Sequence, residues 1–392
     1  MTWGQIVFSI VLLAIGIVLL VTIPAHAGAL THPAAVGADD VLFGGDPDGI
    51  WVAGNLGNRL RLRGQTVVNI GAEVMVPKFK FTNRLGREWT SKNVAHPLPS
   101  ILFATRLDED TVAGVDIHTP YGLGAAFPAV NYGMDTKTLV AGTYIESFVT
   151  RRLTDELSLG IGFDLVFGQL SWDAPFDIDR VPLPVMTKTD MYGVGAGLSL
   201  GLWWQPSDRF GCGLNYRSKV EVDLKGRTQI LTPFGRIRDK TEGQFQFPDK
   251  LDFAFGWSPT ENWLITGDLS LVGYSKLDNA FRLEFDRLMI TKPVNLGWQD
   301  HIVAHVGVSH RINDRWLIGG GVGYMGQSIP DSTVDMLTPD VEGFCAGARV
   351  VYRANDFNLT ASLTRSWGEN EIPRGKVEAD IWIIGLSGEL KF

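Results

Sequence analysis

The chain has 392 residues, of which only 20% are charged, and a formal net charge of −8; its mean hydropathy lies near zero. That average is too polar for a bundle of membrane-spanning helices, the charge content is low for a soluble enzyme, and the acidic balance argues against nucleic acid as a partner. A wall with one face to lipid and the other to water gives such an average, and barrels of this length run as single units.

The first element is apolar. Residues 6–24 are nearly all Ile, Val, Leu, Phe and Ala, and Ala25-His26-Ala27 follows. Small side chains at that spacing are what signal peptidase accepts, so residues 1–27 read as a secretory signal cleaved after Ala27. The segment holds no Lys or Arg, leaving the amino terminus as its only positive charge. An uncleaved anchor helix is the alternative, since about 18 apolar residues can span a bilayer. Residues 28–64 are rich in Gly, Ala, Asp and Asn and lack long alternation. They read as a plug filling the barrel lumen, the alternative being a loose periplasmic tail.

From Gln65 onward the period is two, which places alternate residues on opposite faces of a sheet. Hairpin partners join through turns of two to five residues. Ser100–Leu107 meets Thr111–Tyr121 around Asp108-Glu109-Asp110, and Thr136–Arg152 meets Glu156–Trp172 through Leu153-Thr154-Asp155. In the hairpin over Asp190–Gly226, Tyr192, Val194, Ala196, Leu198, Leu200, Leu202 and Trp204 form one row. The return strand sets Phe210, Cys212, Leu214, Tyr216, Ser218, Val220, Val222 and Leu224 opposite Asn215, Arg217, Lys219, Glu221 and Asp223. An apolar row of that length exceeds an ordinary strand and suits a tilted membrane strand. With Gln65–Val76 first and Val377–Phe392 last, the strands number fourteen. An even number is what a single-chain bacterial barrel requires. The predicted fold is all-β: a 14-stranded antiparallel transmembrane barrel over residues 65–392, in the bacterial outer membrane, with the plug inside it.

Connections alternate in length. Asp173–Lys188, Arg227–Gly243 and Ser275–Trp298 are long where the turns are short, as extracellular loops and periplasmic turns are. Trp203, Trp204, Trp257, Trp263 and Trp316 gather beside the short turns, where an interfacial aromatic belt belongs. Trp382, Ile384, Leu386, Leu390 and Phe392 share a row of the last strand, and the terminal Phe392 is the expected contact for the barrel-assembly machinery.

No catalytic set assembles. Gly197-Leu198-Ser199-Leu200-Gly201 matches a nucleophile elbow, but that motif works only on a sharp strand-to-helix turn and here lies mid-strand. His301 and His305 share a face yet stand about 13 Å apart at strand rise, too far to share one metal. Cys212 falls on the lipid row and Cys345 on the lumen row, so no disulfide is expected. No cofactor is implied.

Several segments resemble the FadL/OmpP1/TodX family of outer-membrane transporters for long-chain fatty acids and other hydrophobic compounds. Tyr216-Arg217-Ser218-Lys219-Val220-Glu221-Val222-Asp223-Leu224-Lys225-Gly226 is similar to the family's Y-R-S-x-V-x-x-D-x-x-G strand. Pro120-Tyr121-Gly122-Leu123 resembles its Y-G-L segment, and Trp298-Gln299-Asp300 with Trp316 and Tyr324 its W-Q-D hairpin. The family's plug carries Asn-Pro-Ala, where this chain has Asp46-Pro47-Asp48. The resemblance implies a monomeric passive channel, taking up fatty acids or aromatic hydrocarbons through loop capture, a lumen pocket and lateral release at a kink in the third strand. Pro120, Tyr121 and Gly122 stand at that kink, and Asp46, Pro47 and Asp48 at the plug's turn.

Apolar residues concentrate in two long connections: Phe176, Ile178, Leu183 and Met186 in one, and Ile230, Leu231 and Phe234 in the other. Packing against one another and lining a capture groove are both open readings. The resemblance favours the groove. Arg236 and Arg238 beside it are expected to attract a carboxylate or lipopolysaccharide phosphates. An outer-membrane lipid enzyme and a structural or adhesive barrel are the competing functions.

Overall fold

The structure is a computed structural model that describes Leu42 and residues 55–61, 64–131, 134–176, 185–232, 235–278 and 280–392. The expected signal over 1–27 and the Asp46-Pro47-Asp48 turn lie outside the described residues. One sheet contains every strand, in the order β1 (Thr66–Asn83), β2 (Glu88–Thr90), β3 (His96–Asp108), β4 (Thr111–Asn131), β5 (Met134–Arg152), β6 (Leu157–Phe176), β7 (Val185–Ser207), β8 (Phe210–Arg217), β9 (Val220–Thr232), β10 (Gly235–Phe247), β11 (Asp249–Thr260), β12 (Trp263–Gly273), β13 (Ala280–Phe285), β14 (Ile290–Asn295), β15 (His301–Arg311), β16 (Trp316–Met325), β17 (Gly343–Arg353), β18 (Phe357–Ile372) and β19 (Gly375–Lys391). Strands β8 and β9 are two halves of one staircase of pairing, as are β10 and β11. Strand β2 and the β13–β14 hairpin stand outside the main ring. Fourteen barrel strands remain, each antiparallel to the next, and β19 closes on β1 from Val67↔Lys391 to Asn83↔Gly375. Closure gives every barrel strand a neighbour on both sides, as backbone in lipid requires.

The outward row is apolar over the membrane band. Ile161, Phe163, Leu198, Leu200, Trp204, Leu214, Ile302, Val306, Ile384 and Leu386 are all exposed. Ile381 and Ile383, on the opposite row of the last strand, are buried with Met75, Phe79 and Phe127 inside the barrel. Cys212 sits on the outward row opposite Trp204, and Cys345 is buried on the inner one; neither is in a disulfide.

Two register shifts decide which way the upper wall faces. In the β4–β5 ladder His118 pairs with Tyr144 and Tyr121 with Gly142, so Thr119 and Pro120 together face Thr143. Proline has no N–H for the ladder and is tolerated at such a bulge. The extra residue turns Tyr121 inward, where it is 1% exposed.

The second shift corrects the single apolar row expected from Phe210 to Leu224. Arg217 pairs with Lys250 and Val220 with Phe247. Against β7 the register slips by one residue, from Arg217↔Ser199 to Asp223↔Val194, while the pairing with β10–β11 stays in register, so both strands invert their faces together. Leu214 and Tyr216 are exposed to lipid, whereas Val220, Val222 and Leu224 are buried. Glu221 and Asp223 now face outward, where Gln244 donates to both.

The connections expected as loops over 173–188 and 227–243 are mostly wall. Strand β6 continues to Phe176, β7 begins at Val185, and β9 and β10 reach Thr232 and Gly235. The barrel therefore projects beyond the lipid band on the side away from the short turns.

Candidate functional site

Inside the projecting wall lies an apolar tier. Among the described residues, twenty-five buried side chains form one cluster that draws on the wall, the β13–β14 hairpin and residues 326–342. The wall gives Tyr121, Tyr144, Val166, Val220, Val222, Leu224, Phe245 and Phe247. The hairpin and its flanks give Phe281, Leu283, Phe285, Leu296 and Trp298, and the 326–342 segment gives Ile329 and Val334. Aromatic rings meet edge-on or tilted: Phe245–Phe247 at 5.1 Å, Phe245–Phe281 at 5.9 Å and Phe245–Trp298 at 6.4 Å.

Residues 326–342 form a lid held by one carboxylate. Asp340 Oδ2 accepts from the Ser328 amide, the Ser328 hydroxyl and the Ile329 amide, at 2.7, 2.6 and 2.8 Å. Burial raises the Asp340 carboxyl above its ordinary pKa, against the opposing pull of those donors. The Thr138 hydroxyl donates to the Leu337 carbonyl, tying the lid to β5.

Beneath the tier the lumen turns polar. Asp116 on β4, Glu146 on β5 and Asp164 on β6 are direct cross-strand neighbours in one inward row. Like charges so placed repel, and two arginines compensate. Arg59 Nη2 lies 2.6 Å from Asp116. Arg217 reaches Glu146 at 3.3 Å and Asp164 at 3.6 Å, with its guanidinium 5.0 Å over the Tyr144 ring. Lys250 is paired with Asp252 at 2.7 Å, and His305 with Asp268 at 2.9 Å. Ser199 donates to Asp164 at 2.6 Å, which gives the elbow-like serine a supporting place in this layer. His301 stacks on Tyr274 at 5.4 Å. No group of three or more His, Cys, Asp or Glu among the described residues is arranged to hold a metal.

Below this layer a short 3-10 helix, Leu56–Arg61, lies against the inner wall near the short turns. Asn55 donates to the Leu202 and Leu214 carbonyls, Thr150 and Ser158 donate to the Leu56 and Gly57 carbonyls, and Asn215 accepts from the Leu56 amide. The helix sits so close that a Cβ on Gly201 would meet backbone nitrogens of Leu56 and Gly57 at 2.7 Å.

Among the described residues, the wall is interrupted between β3 and β4. The β3–β4 ladder ends at Ile101↔Ile117. Above that point β3 pairs only with β1, from Ser100 to His96, and β4 pairs only with β5. Pro97, Pro99 and Pro120 border the interruption, and each lacks a donor for a ladder. Its upper rim is the Lys92 amide donating to Ala126 O at 2.7 Å. On the lumen side stand Tyr121, Tyr144 and Phe247, with centroids 5.6–6.2 Å apart. Gly142 makes room for them, since a Cβ there would meet the Phe247 ring at 2.7 Å.

Of the residues expected from sequence, Pro120, Tyr121 and Gly122 stand at this interruption. Met186, Leu231 and Arg236 form one row across three strands, with Arg238 two residues further along, opposite Gln229. Ile230 lies on the inner face between Thr187 and Ile237, so these residues do not share one surface. Phe176 pairs with Val185 at the end of β6; Ile178, Leu183 and Phe234 lie outside the described residues. Sequence reading missed Phe281, Leu283 and Phe285, although their period of two inside a supposed loop was the signal. It also missed Pro97 and Pro99.

A closed fourteen-strand barrel with lipid-facing outer rows, an apolar tier in its lumen and a lateral interruption is an outer-membrane channel protein in architecture. Residues 60–372 match the family model described as outer membrane protein transport protein (OMPP1/FadL/TodX), and the chain belongs to that family. It is 21% identical over 342 residues to a long-chain fatty acid transport protein of Salmonella typhi, covering 75% of this chain and 76% of that one. The fold is similar to a Pseudomonas aeruginosa FadL homologue (TM-score 0.76, 14% identity, 94% of this chain and 100% of that one). It is also similar to the Pseudomonas putida toluene transporter TodX (TM-score 0.77, 14% identity, 94% and 99%), and to the Ralstonia pickettii toluene transporter TbuX (TM-score 0.74, 16% identity, 95% and 100%).

Proposed function

We propose that this protein is a passive outer-membrane channel that takes up hydrophobic molecules into its apolar tier and releases them sideways through the β3–β4 interruption. The observation that carries this reading is the placement of that interruption directly beside Tyr121, Tyr144 and Phe247, at the edge of the tier. A molecule leaving there enters lipid without crossing the charged layer below. Burying alkyl carbon recovers about 0.8 kcal/mol per methylene, which is ample to draw ligand from water into the tier without an energy source.

Entry is assigned to the projecting wall, with Met186 and Leu231 and the apolar residues Phe176, Ile178, Leu183 and Phe234 of the adjoining segments as the capture residues, while Ile230 belongs to the inner face. Residues 28–64 act as the plug, anchored by the 3-10 helix against the lower wall, and shift to admit passage. The relatives transporting long-chain fatty acids and toluene support uptake of apolar compounds as the common activity.

Deleting Thr119 tests the route. The deletion removes the two-against-one bulge and turns Tyr121 away from the lumen. Uptake of a labelled alkane by cells is expected to fall tenfold or more, while the purified protein keeps its folded, heat-modifiable mobility on gels. Unchanged uptake by a folded deletion variant would rule out lateral release at this point.

A further inference from the structure

We propose that Glu146 and Asp164 act as a charge filter at the floor of the tier, so that the lumen accepts neutral apolar molecules and turns carboxylates away. This rests on the reading that the tier is the ligand site.

A carboxylate headgroup in a lumen needs a cation whose charge is not already compensated. The layer beneath the tier places five carboxylates, Asp116, Glu146, Asp164, Asp252 and Asp268, against three permanent cations, Arg59, Arg217 and Lys250. Each of those cations is within ion-pairing distance of at least one of the carboxylates. Arg217 borders the tier with its guanidinium over the Tyr144 ring, and it is held between Glu146 and Asp164. Ser199 fixes Asp164 from the other side. Lys250 is 4% exposed and faces Asp252.

A carboxylate reaching the floor of the tier meets Glu146 and Asp164, two carboxylates against the single Arg217, in a poorly solvated space where repulsion is screened least. A neutral hydrocarbon of the same length meets only the apolar walls. The cross-strand row Asp116–Glu146–Asp164 brings like charges together at a cost in wall stability, which selectivity would explain and packing alone would not.

The test uses the full-length protein in lipid nanodiscs at pH 8 with radiolabelled dodecane and dodecanoate, which differ at one end only. Wild-type protein is expected to bind dodecane at least tenfold more tightly than dodecanoate. In the Glu146→Gln, Asp164→Asn double variant Arg217 loses both partners, so dodecanoate binding should strengthen tenfold or more while dodecane binding holds. Glu146→Gln alone leaves Asp164 in place and should move dodecanoate in the same direction by a smaller factor, which keeps the test available if the double variant does not fold. Equal binding of the two ligands by wild type would overturn the filter and leave the tier as a ligand site. Discrimination by wild type without a gain in either variant would overturn the assignment to Glu146 and Asp164. Binding of neither ligand would overturn the tier as the site, and the filter with it.

Discussion

The lower and upper halves of this wall use the same alternating chemistry with opposite orientation. Over the membrane band Leu198, Leu200, Leu202 and Trp204 face outward, and Gly197, Ser199 and Gly201 face the lumen. In the projecting half Val220, Val222, Leu224, Phe245 and Phe247 face inward, and Glu221, Asp223, Gln244 and Gln246 take the outer surface. The lower half buries its apolar row in lipid. The upper half, standing in water, buries its own row in the lumen and so becomes a ligand site. The inversion is made by register: β8–β9 slips one residue against β7 at Ser218-Lys219, β10–β11 turns with it at Pro248-Asp249, and the Thr119-Pro120 bulge does the same for Tyr121. A one-residue slip exchanges every side chain between faces, and here it separates membrane wall from binding wall.

The most damaging way to break this arrangement is to remove the step. Deleting Lys219 should return Val220, Val222 and Leu224 to the outer surface and drive Glu221 and Asp223 into the lumen. Folded barrel recovered from membranes is expected to drop at least tenfold, measured by heat-modifiable gel mobility. Inserting one glycine after Asp208, in the short turn at the other end of the same strand, should cost little, because exposed turn tips tolerate added residues. Equal recovery of the two variants would mean that the step does not set the orientation.

The same substitution in the two halves sharpens the contrast at a lower cost. Leu200→Arg places a charge on the lipid row, where about 2–4 kcal/mol is lost near the bilayer midplane. Val222→Arg places it in the tier. Leu200→Arg should reduce insertion, whereas Val222→Arg should insert normally and lose alkane uptake. Uptake per folded molecule, measured for both, separates assembly from transport; comparable uptake by folded Val222→Arg and wild-type protein would remove Val222 from the ligand path.

How much of this was legible in the sequence follows from the same contrast. Strand number, short turns, the opposite faces of Cys212 and Cys345, and the shared face of His301 and His305 all follow from local period and hold in the structure. The inversion at Ser218-Lys219 does not, because Phe210, Cys212, Leu214, Tyr216, Ser218, Val220, Val222 and Leu224 keep one parity in sequence. Only the slipped pairing with β7 shows that the row changes sides. The gate was half legible: Pro120 marked a break in its own strand, while the partner edge with Pro97 and Pro99 needed the ladder. The charged layer was illegible, since Asp116, Glu146, Asp164 and Arg217 lie on four strands and meet only through closure of the barrel. The capture residues were sought in loops, yet much of that stretch is strand, and it divides Ile230 from Met186 and Leu231 by face.

The gentlest perturbation bears on the lid, which belongs to the upper half alone. Asp340 holds Ser328 and Ile329 through one oxygen, and burial raises its pKa in the folded lid. A carboxyl raised on folding contributes stability that is present below its unfolded value, near 3.9, and lost as pH rises through the folded value. The lid should therefore tighten as pH falls from 7 toward 4, read as slower amide exchange at Ser328 and Ile329. Asp340→Asn keeps an oxygen for the three donors without the charge; it should hold the lid at pH 7 at least as firmly as wild type and lose the pH dependence. Asp340→Ala leaves those donors without their acceptor and should speed exchange at both amides at every pH, with insertion of the barrel unchanged. A lid that loosens on acidification, or an Asn variant as loose as the Ala variant, would show that the carboxylate's charge rather than its acceptor geometry holds the 326–342 segment over the tier.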